Sequence, residues 1–231
     1  MIRERIREVE AEIERARARR VRVPKDAPVQ LIAVTKNHGI DMMREAVDAG
    51  ITDIGENRIQ EAASKYEQLE RQARWHLIGH LQTNKAKQAV RYFDLIHSID
   101  SEHLAKAVHR AAKEISKVQD ILLQVNLAKE ESKFGVYRED LDGLVETVLE
   151  LPNLRLRGLM CIAPNYEDVE KCRPLFREMN EIFLRLKEKN HIRANIEYLS
   201  MGMTHDYPIA VEEGANIVRV GTAIFGVRNY S

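Results

Sequence analysis

Apolar positions recur along the chain with two periods. From residue 2 to about 20, Ile2, Ile6, Val9, Ile13 and Ala16 fall three or four apart among many charges. That spacing predicts an amphipathic helix lying on the body of the protein. A loop with Pro24, Asp26 and Pro28 follows. Short apolar runs then occupy 31–35, 52–55, 75–79, 94–97, 120–126, 154–160, 196–200 and 217–221. Helical stretches separate them at roughly 40–49, 57–72, 84–92, 101–117, 138–150, 168–189 and 205–213. Gly50 and Gly214 stand at helix ends, and Ser101-Glu102 is a capping start. Strands alternating with helices predict successive βαβ units and a parallel sheet. Eight such strands match a single (β/α)8 barrel, or TIM barrel, of α/β class with an extra N-terminal helix. A doubly wound open sheet is the alternative. No Pro/Ser-rich linker divides the chain, so 1–231 is expected to be one domain.

Composition narrows the function classes. The 231 residues contain 36 Lys plus Arg and 36 Asp plus Glu, a balance that supplies no field for nucleic acid or an anionic membrane. Arg15, Arg17, Arg19, Arg20 and Arg22 follow Glu8, Glu10, Glu12 and Glu14, and are read as a solvated helix end whose cations oppose the dipole. Cys161 and Cys172 lack the spacing of a disulfide framework or a zinc site, so reduced thiols are expected. No apolar stretch is long enough to span a bilayer, and the charged N-terminus is unlike a secretory signal. A cytoplasmic protein with no nucleic-acid or membrane partner is the expectation. His76 and His80 are four apart but lie on a strand-to-loop segment, where the helical zinc motif has no place. The stripe Val169, Cys172, Leu175, Phe176, Met179, Ile182, Phe183 and Leu186 is read as core.

In such a barrel the strand ends converge on one face, where chemistry resides. Lys36 closes the first apolar run, Leu31 to Thr35. An amine there, partly desolvated, is placed to attack a carbonyl. Gly55-Glu56-Asn57 follows the second strand, and Ser200-Met201-Gly202-Met203-Thr204 and Gly221-Thr222 follow the last two. Glycine and hydroxyl residues after strands seven and eight suit a phosphate, with Thr204-His205-Asp206 opening a short helix. In Ile217-Val218-Arg219-Val220-Gly221, alternation puts Arg219 and Gly221 on one face. Arg219 is then either bridged to a buried carboxylate or aimed at a ligand acceptor. Lysine, arginine and a phosphate cradle together describe pyridoxal 5'-phosphate (PLP) held as a Schiff base.

The segments Ala33-Val34-Thr35-Lys36, Gly55-Glu56-Asn57, Trp75 to Lys85, Ser132-Lys133-Phe134-Gly135, Arg157-Gly158-Leu159-Met160, Leu199 to Met203 and Val218 to Gly226 form a specific set. By them the chain resembles the YggS/PROSC family of pyridoxal phosphate homeostasis proteins, whose fold is similar to the barrel domain of bacterial alanine racemase. The resemblance implies a covalent aldimine of PLP with Lys36 and a cofactor wall that includes Asn57. It further implies a phosphate held by Ser200, Gly221 and Thr222, and Arg219 facing the pyridine nitrogen. Thr204 stands where the family often has serine, and His80 at a variable position. A cation at the ring nitrogen weakens the ring as an electron sink. Racemases of this type take a second base from a β domain and a neighbouring subunit. The sequence ends nine residues after Thr222, so that domain is not expected. These points imply a monomer that stores PLP and delivers it, with apo-PLP enzymes as partners, and is not an enzyme. The alternatives are a single-domain PLP-dependent amino-acid racemase of weak activity and a Schiff-base aldolase of a sugar phosphate.

Overall fold

The computed structural model describes residues 1–69 and 72–226. All eight expected strands form: β1 (Gln30–Val34), β2 (Asp53–Glu56), β3 (Arg74–Leu77), β4 (Leu95–Ile99), β5 (Gln119–Val125), β6 (Leu154–Cys161), β7 (Ala194–Met203) and β8 (Ile217–Val220). They pair in sequence order, all parallel, and β8 returns to β1 through Ile32↔Arg219 and Ala33↔Val220. That last pairing closes the sheet and excludes the open, doubly wound alternative. The helices are α1 (Ile2–Ala18), α2 (Ile40–Asp48), α3 (Ile59–Tyr66), α4 (Ala86–Tyr92), α5 (Glu102–Glu114), α6 (Leu141–Leu149), α7 (Arg173–Glu188), α8 (Tyr207–Glu212) and α9 (Thr222–Phe225).

Two apolar layers follow from strand alternation. Outward residues such as Ile54, Leu77, Ile96, Leu123, Leu159 and Val218 merge with the inner faces of the helices. Inward residues Ile32, Leu95, Leu122, Met160 and Ile217 form a separate cluster that fills the barrel, with Tyr198 and Ile162 packed on it. The α7 stripe is core, with Phe176, Met179, Ile182, Phe183 and Leu186 all buried. So is the stripe of α1, which buries Ile2, Ile6, Val9, Ile13 and Ala16 against α2, α8 and α9.

Several boundaries differ from the expectation. The predicted helix at 57–72 is short: α3 begins only at Ile59, because Asn57 and Arg58 continue the strand-end loop (residues 70 and 71 lie outside the described residues). The helix expected from 205 starts at Tyr207, where Pro208 occupies the first turn and Asp206 Oδ1 accepts from the Met203 N–H at 2.6 Å. The turn α9 was not expected.

The basic cluster at the end of α1 needs correction. Arg15, Arg17, Arg19 and Arg22 pair at the surface with Glu12, Glu14, Glu212 and Glu181. Arg20 is not solvated at all; it is 2% exposed. Its guanidinium donates to four backbone carbonyls, those of Val211, Pro24, Ala27 and Ala215, at 2.8–3.1 Å. A helix period cannot show this, since the carbonyls come from the loop before β1 and from α8 and the turn after it, the latter some 190 residues away.

Candidate functional site

A cavity of about 250 Å³ opens at the carboxyl ends of the strands. Lys36, Asn57, Arg219, Gly221 and Thr222 all line it, as do Thr204, Met203 and His205 from the segment after β7. Val34, Ile78 and Ile162 supply apolar wall. Alternation explains the set. Val34 and Lys36 share the inward face of β1, Gly55 and Asn57 that of β2, and Arg219 and Gly221 that of β8. Gly79 allows β3 to end close to β2, since a Cβ there would lie 2.3 Å from the Asn57 carbonyl oxygen. Gly202 has φ +93°, and its Cβ would meet α8 at Ala210 and Tyr207. Only glycine lets β7 leave the barrel against that helix.

The strand end that carries Lys36 is tied down from outside the barrel. Glu56, one residue out of phase with Gly55 and Asn57, points to α3 and is fully buried. Its Oε1 accepts from Thr35 Oγ1 at 2.6 Å and from Lys65 Nζ at 2.8 Å, while Lys65 also donates to the Thr35 carbonyl at 3.1 Å. Burial pushes the Glu56 carboxyl above its ordinary value, against the pull of Lys65 and Thr35. On the other side of Lys36, Asn37 adopts φ 63° and donates its N–H to Glu61 Oε2 at 2.9 Å. The residues on both sides of the amine are thus fixed by side chains of β2 and α3.

Arg219 is 3% exposed. Its two terminal nitrogens donate to Ser200 Oγ at 2.5 Å and to the Cys161 carbonyl at 2.9 Å, and it forms no ion pair among the described residues. Of the two readings open at the level of sequence, the direct carboxylate bridge is absent. Ser200 is placed differently from the other residues implied for the phosphate. It is fully buried, its hydroxyl lies against Arg219 and His97, and the cavity wall at this strand end is Met203 and Thr204 instead. Thr204 Oγ1 accepts from the Gly221 N–H at 3.4 Å, joining the two loops.

Behind Ser200 runs a buried line of polar groups. Ser200 Oγ is 3.0 Å from His97 Nδ1, His97 Nε2 is 3.0 Å from His76 Nδ1, and His76 Nε2 is 2.8 Å from Asp53 Oδ1. Burial holds both imidazoles below their ordinary value, His97 far below, with His76 and Arg219 adding to the effect on His97 and Asp53 opposing it on His76. Burial alone would raise the Asp53 carboxyl, but hydrogen bonds from His76 and Thr52 bring it below its usual range. Sequence reasoning weighed His76 only as a metal ligand and passed over His97 and Asp53. The available signal was parity: all three occupy inward positions on adjacent strands, with Gly55↔His76 and His76↔Leu95 in register. No cluster of metal-ligating side chains occurs among the described residues. Burial pushes the Cys161 thiol up to about 12 and the Cys172 thiol to about 11, so both stay protonated and unreactive.

A closed parallel barrel with lysine after its first strand and arginine inside its last defines the class of the alanine racemase barrel. Residues 10–229 match the family described as alanine racemase, N-terminal domain. A pyridoxal phosphate homeostasis protein of Aquifex aeolicus is 43% identical over 202 residues, covering 87% of this chain and 88% of that one. PipY of Synechococcus elongatus, solved with PLP bound, superposes with a TM-score of 0.84 at 38% identity and covers 98% of this chain and 100% of its own. An alanine racemase of Clostridium difficile shares the fold, with a TM-score of 0.69 at 13% identity over 96% of this chain and 56% of the racemase. The chain belongs to the alanine racemase N-terminal domain family and, within it, to the pyridoxal phosphate homeostasis proteins. No described helix is long and apolar enough to cross a membrane.

Proposed function

We propose that the chain binds PLP in the cavity between Lys36 and Arg219 and serves its homeostasis, storing the cofactor and handing it to apo-PLP enzymes in the cytoplasm as a monomer. The observation that carries this is one cavity lined by a lysine amine and by a buried arginine that forms no ion pair among the described residues. A buried guanidinium is costly unless polar groups complete its shell, and a heteroaromatic nitrogen accepts from it without a proton of its own. The residues fit the group. Lys36 Nζ would condense with the aldehyde, expelling one water. Asn57 and Ile78 would flank the ring, and Thr204, Gly221 and Thr222 offer hydroxyl and backbone donors for the phosphate. Support from relatives lies in the PLP-bound state of PipY and in the names of the homologues.

Purified protein given PLP is expected to gain the visible absorption of a protonated Schiff base, and Lys36→Ala to lose all of it. An unchanged spectrum in that variant removes Lys36 from the covalent role. The bound cofactor supplies an electrophilic carbonyl and, in racemases, an electron sink; a cation at the ring nitrogen favours the first role over the second. Incubation with L-alanine in deuterated water is therefore expected to show no α-proton exchange above a borohydride-reduced control. Exchange at a rate typical of racemases would convert the reading to that of an enzyme.

A further inference from the structure

The two ends of the buried line dictate its direction. Arg219 can only donate and an ionised Asp53 can only accept. His76 Nε2 faces Asp53 and so carries a hydrogen, which leaves His76 Nδ1, in the neutral ring, as an acceptor. His97 Nε2 must then carry the hydrogen between the rings, and His97 Nδ1 accepts from the Ser200 hydroxyl. Ser200 Oγ keeps a lone pair for Arg219. Every hydrogen in the series points from Arg219 toward Asp53, with four bonds of 2.5–3.0 Å between the buried cation and the buried anion. Asp53 is anchored in turn by Thr52 Oγ1 at 2.7 Å. None of Asp53, His76, His97 or Ser200 lines the cavity, and all four are buried.

We propose that Asp53, His76, His97 and Ser200 are positioning residues for Arg219. Through one fixed direction of hydrogen bonding they clamp its guanidinium and turn its remaining donors to the cavity. Ser200 thereby acts through Arg219, not on the phosphate. The chain also joins the cation to a distant carboxylate by polarised bonds, which strengthen one another where water is excluded. A carboxylate in direct contact would neutralise the charge and occupy the donors that a ligand acceptor needs. This inference rests on the reading of the cavity as a PLP site.

The first test needs no cofactor. In the ligand-free, histidine-¹⁵N-labelled full chain at pH 7.5, long-range ¹H–¹⁵N correlations should show His76 and His97 both neutral and both protonated on Nε2. His97 protonated on Nδ1 beside a doubly protonated His76, the reversed pattern, would overturn the proposal. In the same protein, labelled also in arginine, the Arg219 Nη1 hydrogen that faces Ser200 should exchange slowly, and Ser200→Ala should speed that exchange about tenfold or more, the effect of losing one charged hydrogen bond. In PLP titrations, Ser200→Ala should raise Kd about tenfold, and Asp53→Asn, four bonds away, about threefold, with the Schiff-base absorption displaced in both. Unfolding curves establish that each variant is folded. Unchanged Arg219 exchange, Kd and absorption in folded Ser200→Ala and Asp53→Asn would refute the positioning role. A wild-type protein that takes up no PLP would refute the cofactor reading alone, since tautomers and Arg219 exchange still decide the chain.

Discussion

Replacing Arg20 by alanine is expected to cost about 3–5 kcal/mol of folding stability and to lower the melting temperature by roughly 10 °C. The guanidinium donates to four carbonyls at once: Pro24 and Ala27 in the loop before β1, Val211 at the end of α8 (which also accepts from the Gly214 N–H at 3.1 Å) and Ala215 just beyond it. Each bond to a charged donor contributes about 1.5–3 kcal/mol net, and water refills part of the space when the side chain is removed. Arg20→Lys should recover a minor part, because three donors on one nitrogen cannot span carbonyls that a planar fork reaches in several directions. Arg22, two residues on, provides the contrast. Its pair with Glu181 is 3.4 Å long, and both side chains are about half exposed, so Arg22→Ala should change stability by less than about 0.5 kcal/mol. Urea unfolding of the three variants beside the wild type measures all of this. Equal effects of Arg20→Ala and Arg22→Ala would contradict the clamp.

Acid is expected to destabilise the protein from about pH 6.5 downward, well above the range where most carboxylates titrate. The imidazoles of His76 and His97 are depressed by burial, so below about pH 6.5 the unfolded chain binds protons that the folded chain refuses. Stability is then complete above the unfolded value and declines as pH falls, by about 1.4 kcal/mol per pH unit for each such proton and up to about 2.7 for two. Burial of Glu56, Asp100 and Asp206 raises their carboxyls and works in the opposite sense, since the folded state then binds protons first. The difference between wild type and His97→Gln isolates the histidine contribution. Between pH 7 and 5.5 the slope of the variant should be smaller by up to about one proton. Parallel stability–pH curves for the two proteins would show that His97 takes up protons equally in the folded and unfolded states, against the depression expected from its burial. Asp53, depressed by His76 and Thr52, adds a further loss only at lower pH, as the solution passes below its folded value.

Both results turn on residues whose chemistry depends on distant partners. Arg20 looks like its neighbours in a basic run, and His76 like half of a failed metal motif. Glu56 was legible only as part of a strand-end segment, although Lys65 and Thr35 make it the brace behind Lys36. Ser200 illustrates the same limit from the other direction. Its segment does approach the cavity, but its own hydroxyl points into the barrel, because a register shift between Ser200 and Met203 moves the wall-forming residues past it.

What the sequence by itself determined is the local and repetitive part. Strand and helix periods are set by residues two to four positions apart, so eight strands, their order and the α1 stripe could be read directly. Parity put Arg219 and Gly221 on one face, because side-chain direction in a strand is a property of that strand alone, and the end of the first apolar run placed Lys36 at the strand ends. Only the tertiary structure decided which groups meet inside. Arg219 contacts Ser200 across 19 positions of sequence, Ser200 contacts His97 across 103, and Arg20 reaches Ala215 across 195. Such partnerships follow from barrel closure and inter-strand register, which no single segment encodes. Burial converts them into fixed hydrogen-bond directions because an unpaired donor or acceptor there has no water to turn to.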